Sequence, residues 1–506
     1  MKKALNILII SILLVSCAVK QPKTTIDQKE LVILSINDMH GKIENMPRLA
    51  FVADSLRNLY PQLIIVSAGD NRTGNPYNDK FPGKPNFPMI NMMNEIGLDV
   101  SELGNHEFDG NIDGIRYFVN TAKFPLICAN TYFKGYPDVK LPPYVTITRK
   151  IDGKDVKVIF LGMIETENYG KPSSHEKNMI NVDFRPAEEV IPEYLYLKDQ
   201  CDVFVLLSHC GLPEETKYAV EFPEFDIIIG GHSHDLYTKL FDSGVLYTQS
   251  KSYITYATVS KIQFKDGSIV SVDAQPIDLK KVTKVDADIQ AEVDGYYSNP
   301  EFHIVLGRAT TPFDGWDALG AFMADAARYI VKTDIGLQNP GGVRLDSLHG
   351  GDLTKADIFA LDPFNNELVI AQMTGRQIED YINVASTDDG DCTHVSGITY
   401  TIDSERAADG KLVFSNAKVY LENGQPIDPD KVYTVSINSY MAKWADGRCV
   451  SMEQTEYTAN DAEILYLKDH QSVDYKGVST MLMVFYHRVN HIVCGWPRAM
   501  VSLLFR

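Results

Sequence analysis

Residues 31–40 read Leu-Val-Ile-Leu-Ser-Ile-Asn-Asp-Met-His, an apolar run that stops at an Asp-x-His pair. A run this continuous, without polar alternation, is what a strand covered on both faces requires. The same grammar repeats along the chain: Leu63–Ala68 precedes Gly69-Asp70, Val203–Ser208 precedes His209, and 226–229 (DIII) precedes Gly230-Gly231-His232-Ser233-His234. Further runs lie at 125–129, 156–162 and 255–264, while 47–59, 88–97, 111–123 and 186–198 carry helical spacing, several with Pro near the start. Strands alternating with helices predict a layered α/β domain over 31–275.

A second α/β or α+β pattern is predicted over 315–480. Its helices are expected at 317–332 and 374–385, and its strands at 335–338, 368–373, 397–402, 412–421 and 432–437. The charged stretch 276–314 reads as a connector, expected to be helical. With 506 residues, 44% hydrophobic and 23% charged, the chain is long enough for several domains with sizeable cores. Its 34 Gly, 24 Pro and 10% aromatics, spread without a short period, exclude collagen-like, coiled-coil and wholly disordered classes. A formal net charge of −19 argues against a nucleic-acid partner.

At the start, Lys2 and Lys3 precede the apolar run Ile7–Val15, too short to span a bilayer, and the segment ends Leu14-Val15-Ser16-Cys17. This resembles the lipobox of bacterial lipoproteins, which implies a signal peptide over 1–16, acylation of Cys17, a polar tether over 17–30 and an extracytoplasmic cell-envelope location with a membrane lipid anchor. A plain cleaved signal peptide is the alternative. Six further cysteines (128, 201, 210, 392, 449 and 494) contain no C-x-x-C pair, so neither a zinc knuckle nor a thioredoxin-like centre is indicated.

The polar residues that follow the strands carry the chemistry. Strand C-ends in α/β sheets converge on one rim, so Asp38, His40, Asp70, Gly104-Asn105-His106-Glu107-Phe108-Asp109, His209, His232 and His234 can meet in one crevice. Carboxylate, amide and imidazole form the N/O donor set that suits divalent transition metals. A lone Asp at a strand end is usually a turn former; five such sites in fixed order are a pattern.

In that order, the chain resembles the calcineurin-like metallophosphoesterases, and specifically the bacterial 5'-nucleotidase and UDP-sugar hydrolase family, from Asp38 to His234, with a looser match from about 315 to 475. The resemblance implies an N-terminal layered αββα domain with a second, substrate-binding α/β (α+β) domain. It implies two divalent ions (Mn, Zn or Co), one on Asp38, His40, Asp70 and His234, the other on Asp70, Asn105, His209 and His232, with Asp70 bridging. Relatives commonly place Gln at the His234 position. His106 and Asp109 are implied as the catalytic pair, and Glu107 is left a supporting role. The implied reaction is hydrolysis of nucleotides to nucleoside and phosphate by a hydroxide bridging the metals.

In the second domain, Asn339-Pro340-Gly341-Gly342-Val343-Arg344 resembles the family's glycine-rich substrate loop, and 362–368 (DPFNNEL) with Val395-Ser396-Gly397 repeats the family order. Gly341, Gly342, Arg344, Asn365 and Asn366 are thereby implied in substrate binding. The family's two base-stacking aromatics fall near Cys392 and Arg448, neither aromatic, and the acidic run Thr387–Asp391 would repel a polyphosphate. The resemblance also suggests that Cys392 and Cys449 face each other and pair; two free thiols are the alternative. A cyclic-nucleotide phosphodiesterase/3'-nucleotidase, another anionic-ester hydrolase, and a non-catalytic ligand-binding lipoprotein stay open as functions. Residues 481–506 depart from the rest in being apolar and basic, and no function attaches to them.

Overall fold

The computed structural model describes residues 29–167, 170–364, 366–407 and 411–479, and beyond these the backbone of strands Leu482–Tyr486, Val489–Cys494 and Trp496–Pro497. The expected signal peptide, Cys17 and most of the tether, as well as Asn365, lie outside the described residues. Among those described, no helix is long and apolar enough to cross a membrane.

Two six-stranded sheets face each other in the first domain. One runs Ser268–Asp278, Tyr256–Lys265, Glu30–Ile36, Ile64–Ser67, Val100–Glu102, Leu126–Ile127, its last four strands parallel. The other runs Leu236–Leu240, Leu246–Ser250, Ile227–Gly230, Val203–His209, Lys154–Ile164, Tyr144–Ile151, parallel except at its edges. Successive side chains of a strand point to opposite faces. Leu31 and Ile33 therefore join Val203, Val205 and Leu207 between the sheets, whereas Val32, Leu34 and Ile36 meet the helices Met46–Leu59, Phe87–Glu95 and Asn111–Thr121 outside. The outer face of the second sheet is covered by a third cluster that includes Val190, Leu197 and Tyr218. These layers are the αββα arrangement.

Segment 186–198 is α-helical only over Ala187–Val190 and continues as a 3-10 helix, Ile191–Gln200, where Pro192 lacks the N–H that an α-helical bond would use. In the connector, only Ala287–Tyr297 is α-helical, capped by Asp286, whose carboxylate accepts from Asp288 N and Ile289 N. It belongs physically to the first domain: Ile289, Val293 and Phe302 enter the core, and Tyr297 stacks on Tyr77 at 4.1 Å between ring centroids.

The second domain is built on a five-stranded sheet, His394–Ser396, Ile335–Gln338, Val432–Asn438, Glu367–Thr374, Ser451–Thr458, packed by helices Trp316–Val331, Gly375–Asp389 and Ala459–His470. Strands Ile398–Arg406 and Leu412–Leu421 form a second sheet, onto which the backbone hairpin Leu482–Tyr486/Val489–Cys494 pairs. The chain is thus a two-domain mixed α/β protein. A cleft of about 860 Å³ lies between the domains.

Candidate active site

Strand ends Ile36, Ser67, Glu102, His209 and Gly230 deliver their following loops to one edge of the paired sheets. All seven side chains expected to act as metal donors meet there. The Nε2 of His40 lies 2.9 Å from the Nε2 of His234, across 194 residues of chain, and the latter is 3.4 Å from Asp38 Oδ1. The Nε2 of His209 is 3.2 Å from both Asp70 Oδ2 and Asn105 Oδ1, and His232 Nδ1 is 3.0 Å from that same Asn105 oxygen. Asp70 is central: its Oδ2 also lies 3.9 Å from His40 Nε2 and 4.0 Å from His106 Nε2, while its Oδ1 accepts from the His106 backbone N–H at 2.8 Å.

The hydrogen bonds fix which atoms carry lone pairs. His40 Nδ1 donates to Thr73 O at 2.9 Å and His209 Nδ1 to Ala68 O at 2.6 Å; a carbonyl can only accept, so in the neutral rings each Nε2 carries a lone pair. Asn105 Nδ2 donates to Ser173 O at 3.0 Å, which turns the amide oxygen toward His209 and His232. Imidazole nitrogens therefore point at carboxylate and amide oxygens, an arrangement that calls for a proton or a metal cation among them: against burial, Asp70 and Asp38 raise the His209 pKa well above the ordinary imidazole value. The donor set of imidazole, carboxylate and amide fits a divalent ion. Three groups among the described residues bring their ligand atoms close enough for one: Asp38/His40/His234, Asp38/Asp70/His209 and His40/Asp70/His106.

Backbone geometry contributes as well. Asp38, His40, Asp70, His232 and His234 all adopt left-handed φ, from 49° to 74°. Gly104 is required because a Cβ there would meet Asp70 Oδ1 at 2.2 Å, and Gly231 because one would meet His209 Nδ1 at 2.7 Å. Glu107 fastens the loops together. Its carboxylate accepts from Gly104 N at 2.7 Å, Asn71 N at 2.8 Å and Asp70 N at 3.1 Å.

His106 stands beside the donors, with Nδ1 2.6 Å from Asp109 Oδ2. Asp109 is itself held by Thr73 Oγ1 at 2.8 Å and Ser174 Oγ at 2.9 Å. Burial works against the imidazolium, but Asp70 and Asp109 outweigh it and raise the His106 pKa. Burial likewise opposes ionisation of Asp70, and the neighbouring His209 and His106 reverse this, holding its carboxyl well below the usual range. Burial first, then His234 and His106, lower His40 well below the ordinary imidazole value.

Across the cleft, Arg344 lies over the Phe364 ring at 5.6 Å, and Phe364 stacks on His106 with centroids 6.0 Å apart. The guanidinium charge of Arg344 is felt by both His40 and His106. Asn366 lines the same cleft. Gly341 N donates to Asp389 Oδ2 at 2.8 Å, so the anion this loop meets is the chain's own carboxylate. Cys392 and Cys449 are free thiols, Cys392 buried in the second-domain core, so no bridge closes the expected base site. Arg448 is engaged with Asp380 at 2.9 Å. The cleft aromatics come instead from Phe364, Tyr440 and Tyr117. Arg72, Thr73, Ser174 and Tyr440 carry no strand-end signature, and sequence reading passed over them.

Two facing sheets with this donor rim define a calcineurin-like metallophosphoesterase. Residues 31–236 match the family model for calcineurin-like phosphoesterases and 305–454 that for the 5'-nucleotidase C-terminal domain. A 5'-nucleotidase of Vibrio cholerae is 27% identical over 88% of this chain and 91% of its own. The crystal structure of a 5'-nucleotidase precursor from Thermus thermophilus superposes with a TM-score of 0.74 at 21% identity, covering 88% of this chain and 97% of that one. A sulfate thiohydrolase, SoxB, of the Thermus genus shares the fold at a TM-score of 0.69 and 15% identity, over 88% and 95% of the two chains. The chain belongs to the two-domain 5'-nucleotidase family and is a metal-dependent phosphoric ester hydrolase by class.

Proposed function

We propose that this protein hydrolyses nucleotides to nucleoside and phosphate, with two divalent ions held by Asp38, His40, Asp70 and His234 and by Asp70, Asn105, His209 and His232. The observation that supports this most directly is the convergence of imidazole nitrogens on the Asp70 and Asn105 oxygens. When bound, such a pair supplies an activated water near neutral pH and neutralises phosphoryl charge. The protein's own groups do the rest. His106, whose pKa Asp70 and Asp109 raise against burial, donates from Nε2 in its protonated form to the phosphoryl oxygen on which charge grows, and Asp109 holds the ring's orientation through Nδ1. Arg344 adds a fork of donors on the opposite side, following the Gly341–Gly342 turn, and Asn366 lines the same cleft; Asn365 belongs to the same proposed substrate set. Phe364 and Tyr440 offer faces for the leaving nucleoside.

In this reading, the protein works outside the cytoplasm, anchored by lipid at Cys17. Another anionic ester, including a 2',3'-cyclic nucleotide, is the second reading, favoured by the non-aromatic Cys392 and Arg448. Treatment with EDTA should abolish hydrolysis of p-nitrophenyl phosphate, and Mn²⁺, Co²⁺ or Zn²⁺ should restore it. A panel of 5'-, 3'- and cyclic nucleotides and nucleotide sugars then ranks the substrates by kcat/KM. Activity indifferent to chelation would reject the mechanism, and a best substrate outside the 5'-nucleotides would reject the specificity.

A further inference from the structure

Arg72 is only 7% exposed, yet it lines the cleft. Its Nε has no hydrogen-bond partner, and its side chain makes no ion pair among the described residues. The side chain crosses the start of helix Asn111–Thr121 so closely that a Cβ on Gly110 would meet Nη1 at 1.6 Å, and one on Gly114 would meet it at 3.0 Å. A buried guanidinium whose Nε makes no hydrogen bond is costly to keep.

Nearby carboxylates make no bond to it. Asp109 is within range of the Arg72 charge, but its oxygens are engaged by His106, Thr73 and Ser174. Asp79 accepts from the backbone N–H groups of Thr73, Gly74 and Asn75 at 2.9, 2.7 and 2.9 Å, and from Asn78 Nδ2. Lys80 lines the same cleft without an ion pair among the described residues; burial, and then the charge of Arg72, lower its pKa, against Asp79, Asp362 and Asp109, which raise it. On the opposite wall the cation is Arg344, already assigned to the phosphoryl group that is cleaved, while the Gly341 amide is taken by Asp389 and Lys443 pairs with Asp388 at 3.2 Å.

We propose that Arg72 and Lys80 form a subsite on the first-domain wall that holds a second phosphoryl group of the substrate, beyond the one that is cleaved. A fork and a point charge lining one cleft match a dianion. The inference rests on the nucleotidase reading for its substrate and assigns that substrate class as doubly phosphorylated nucleosides. The second phosphoryl group lies either in line with the first or on the ribose.

Kinetics on the metal-loaded protein with AMP, ADP and adenosine 3',5'-bisphosphate separate these. Arg72→Met should lower kcat/KM for ADP or for the bisphosphate at least tenfold more than for AMP, and the substrate affected tells which position the group occupies. Lys80→Met should act in the same direction, and Arg72→Lys should recover part of the loss. Equal falls on all three substrates, or no fall, would overturn the subsite. If the wild type cleaves none of them, the nucleotidase reading itself has failed, and binding still reads the subsite. In metal-stripped protein, ADP or adenosine 3',5'-bisphosphate should raise Tm more than AMP does, and Arg72→Met should erase the difference. No such difference in the wild type would refute the proposal.

Discussion

One carboxylate oxygen, Asp109 Oδ2, serves both His106 Nδ1, at 2.6 Å, and Thr73 Oγ1, at 2.8 Å. The imidazole is thereby tied to the loop that follows Asp70, and the ring cannot turn without disturbing that loop. Replacing His106 by Ala removes a donor to the phosphoryl group but no atom of the four-residue sets proposed for the metals. Turnover should fall about 10²–10³-fold with metal content unchanged. Asp109→Asn should cost roughly 10–100-fold, the usual range for a group that orients another. Steady-state rates with metal analysis check both, and an undiminished kcat in His106→Ala would remove the residue from the chemistry.

Asp70 is the one side chain shared by both proposed donor sets, and His232 belongs to one. Metal analysis after dialysis should therefore find two ions per chain in the wild type, one in His232→Ala, and fewer than one in Asp70→Ala. Equal losses in the two variants would contradict a bridging role.

Asp362 lies at the inner end of the 362–368 segment, and burial pushes its pKa up to about 6, against the counteracting Phe364 N–H and Lys80. The folded protein then binds this proton more tightly than the unfolded chain does. Stability from this group is complete at low pH and is lost as pH rises toward about 6. Each tenfold displacement in proton affinity is worth about 1.4 kcal/mol. Between pH 4 and 6.5, metal-stripped Asp362→Asn should gain roughly 2–3 kcal/mol relative to the wild type. Parallel denaturation curves across that range would refute it.

Cys392 is buried, and Cys449 is partly exposed. In the native protein, a thiol reagent should modify Cys449 first and reach Cys392 only on unfolding. Peptide mapping without reductant should return both as free thiols; a linked 392–449 peptide would contradict the structure.

The donor rim was legible because each donor interrupts or follows an apolar run, and parallel strands carry such ends to one edge whatever their distance in sequence. Strands Tyr144–Ile151 and Ser268–Asp278 were passed over for the opposite reason. They are edge strands with largely exposed faces, so polar residues dilute the continuous apolar signal. Helix Ala459–His470 did announce itself locally, through a capping box of Thr458 and Asp461, but its apolar spacing is weak. Glu107 and Arg72 could not be read from neighbours in sequence. The first meets amides of Asp70 and Asn71, and the second is enclosed by Gly110 and Gly114, contacts that only the tertiary fold creates.

Left-handed curls at Asp38, His40, Asp70, His232 and His234 limit the alphabet from which those positions can be drawn. Outside glycine, Asn, Asp and His are the residues that enter this region most readily. All three carry a donor atom, whereas β-branched residues enter the region only at a cost, as Thr73 and Ile254 do at φ 70° and 54°. Drift at these points is thus channelled toward exchanging one donor for another, and the rim can retune its ion preference more easily than it can surrender its ions altogether.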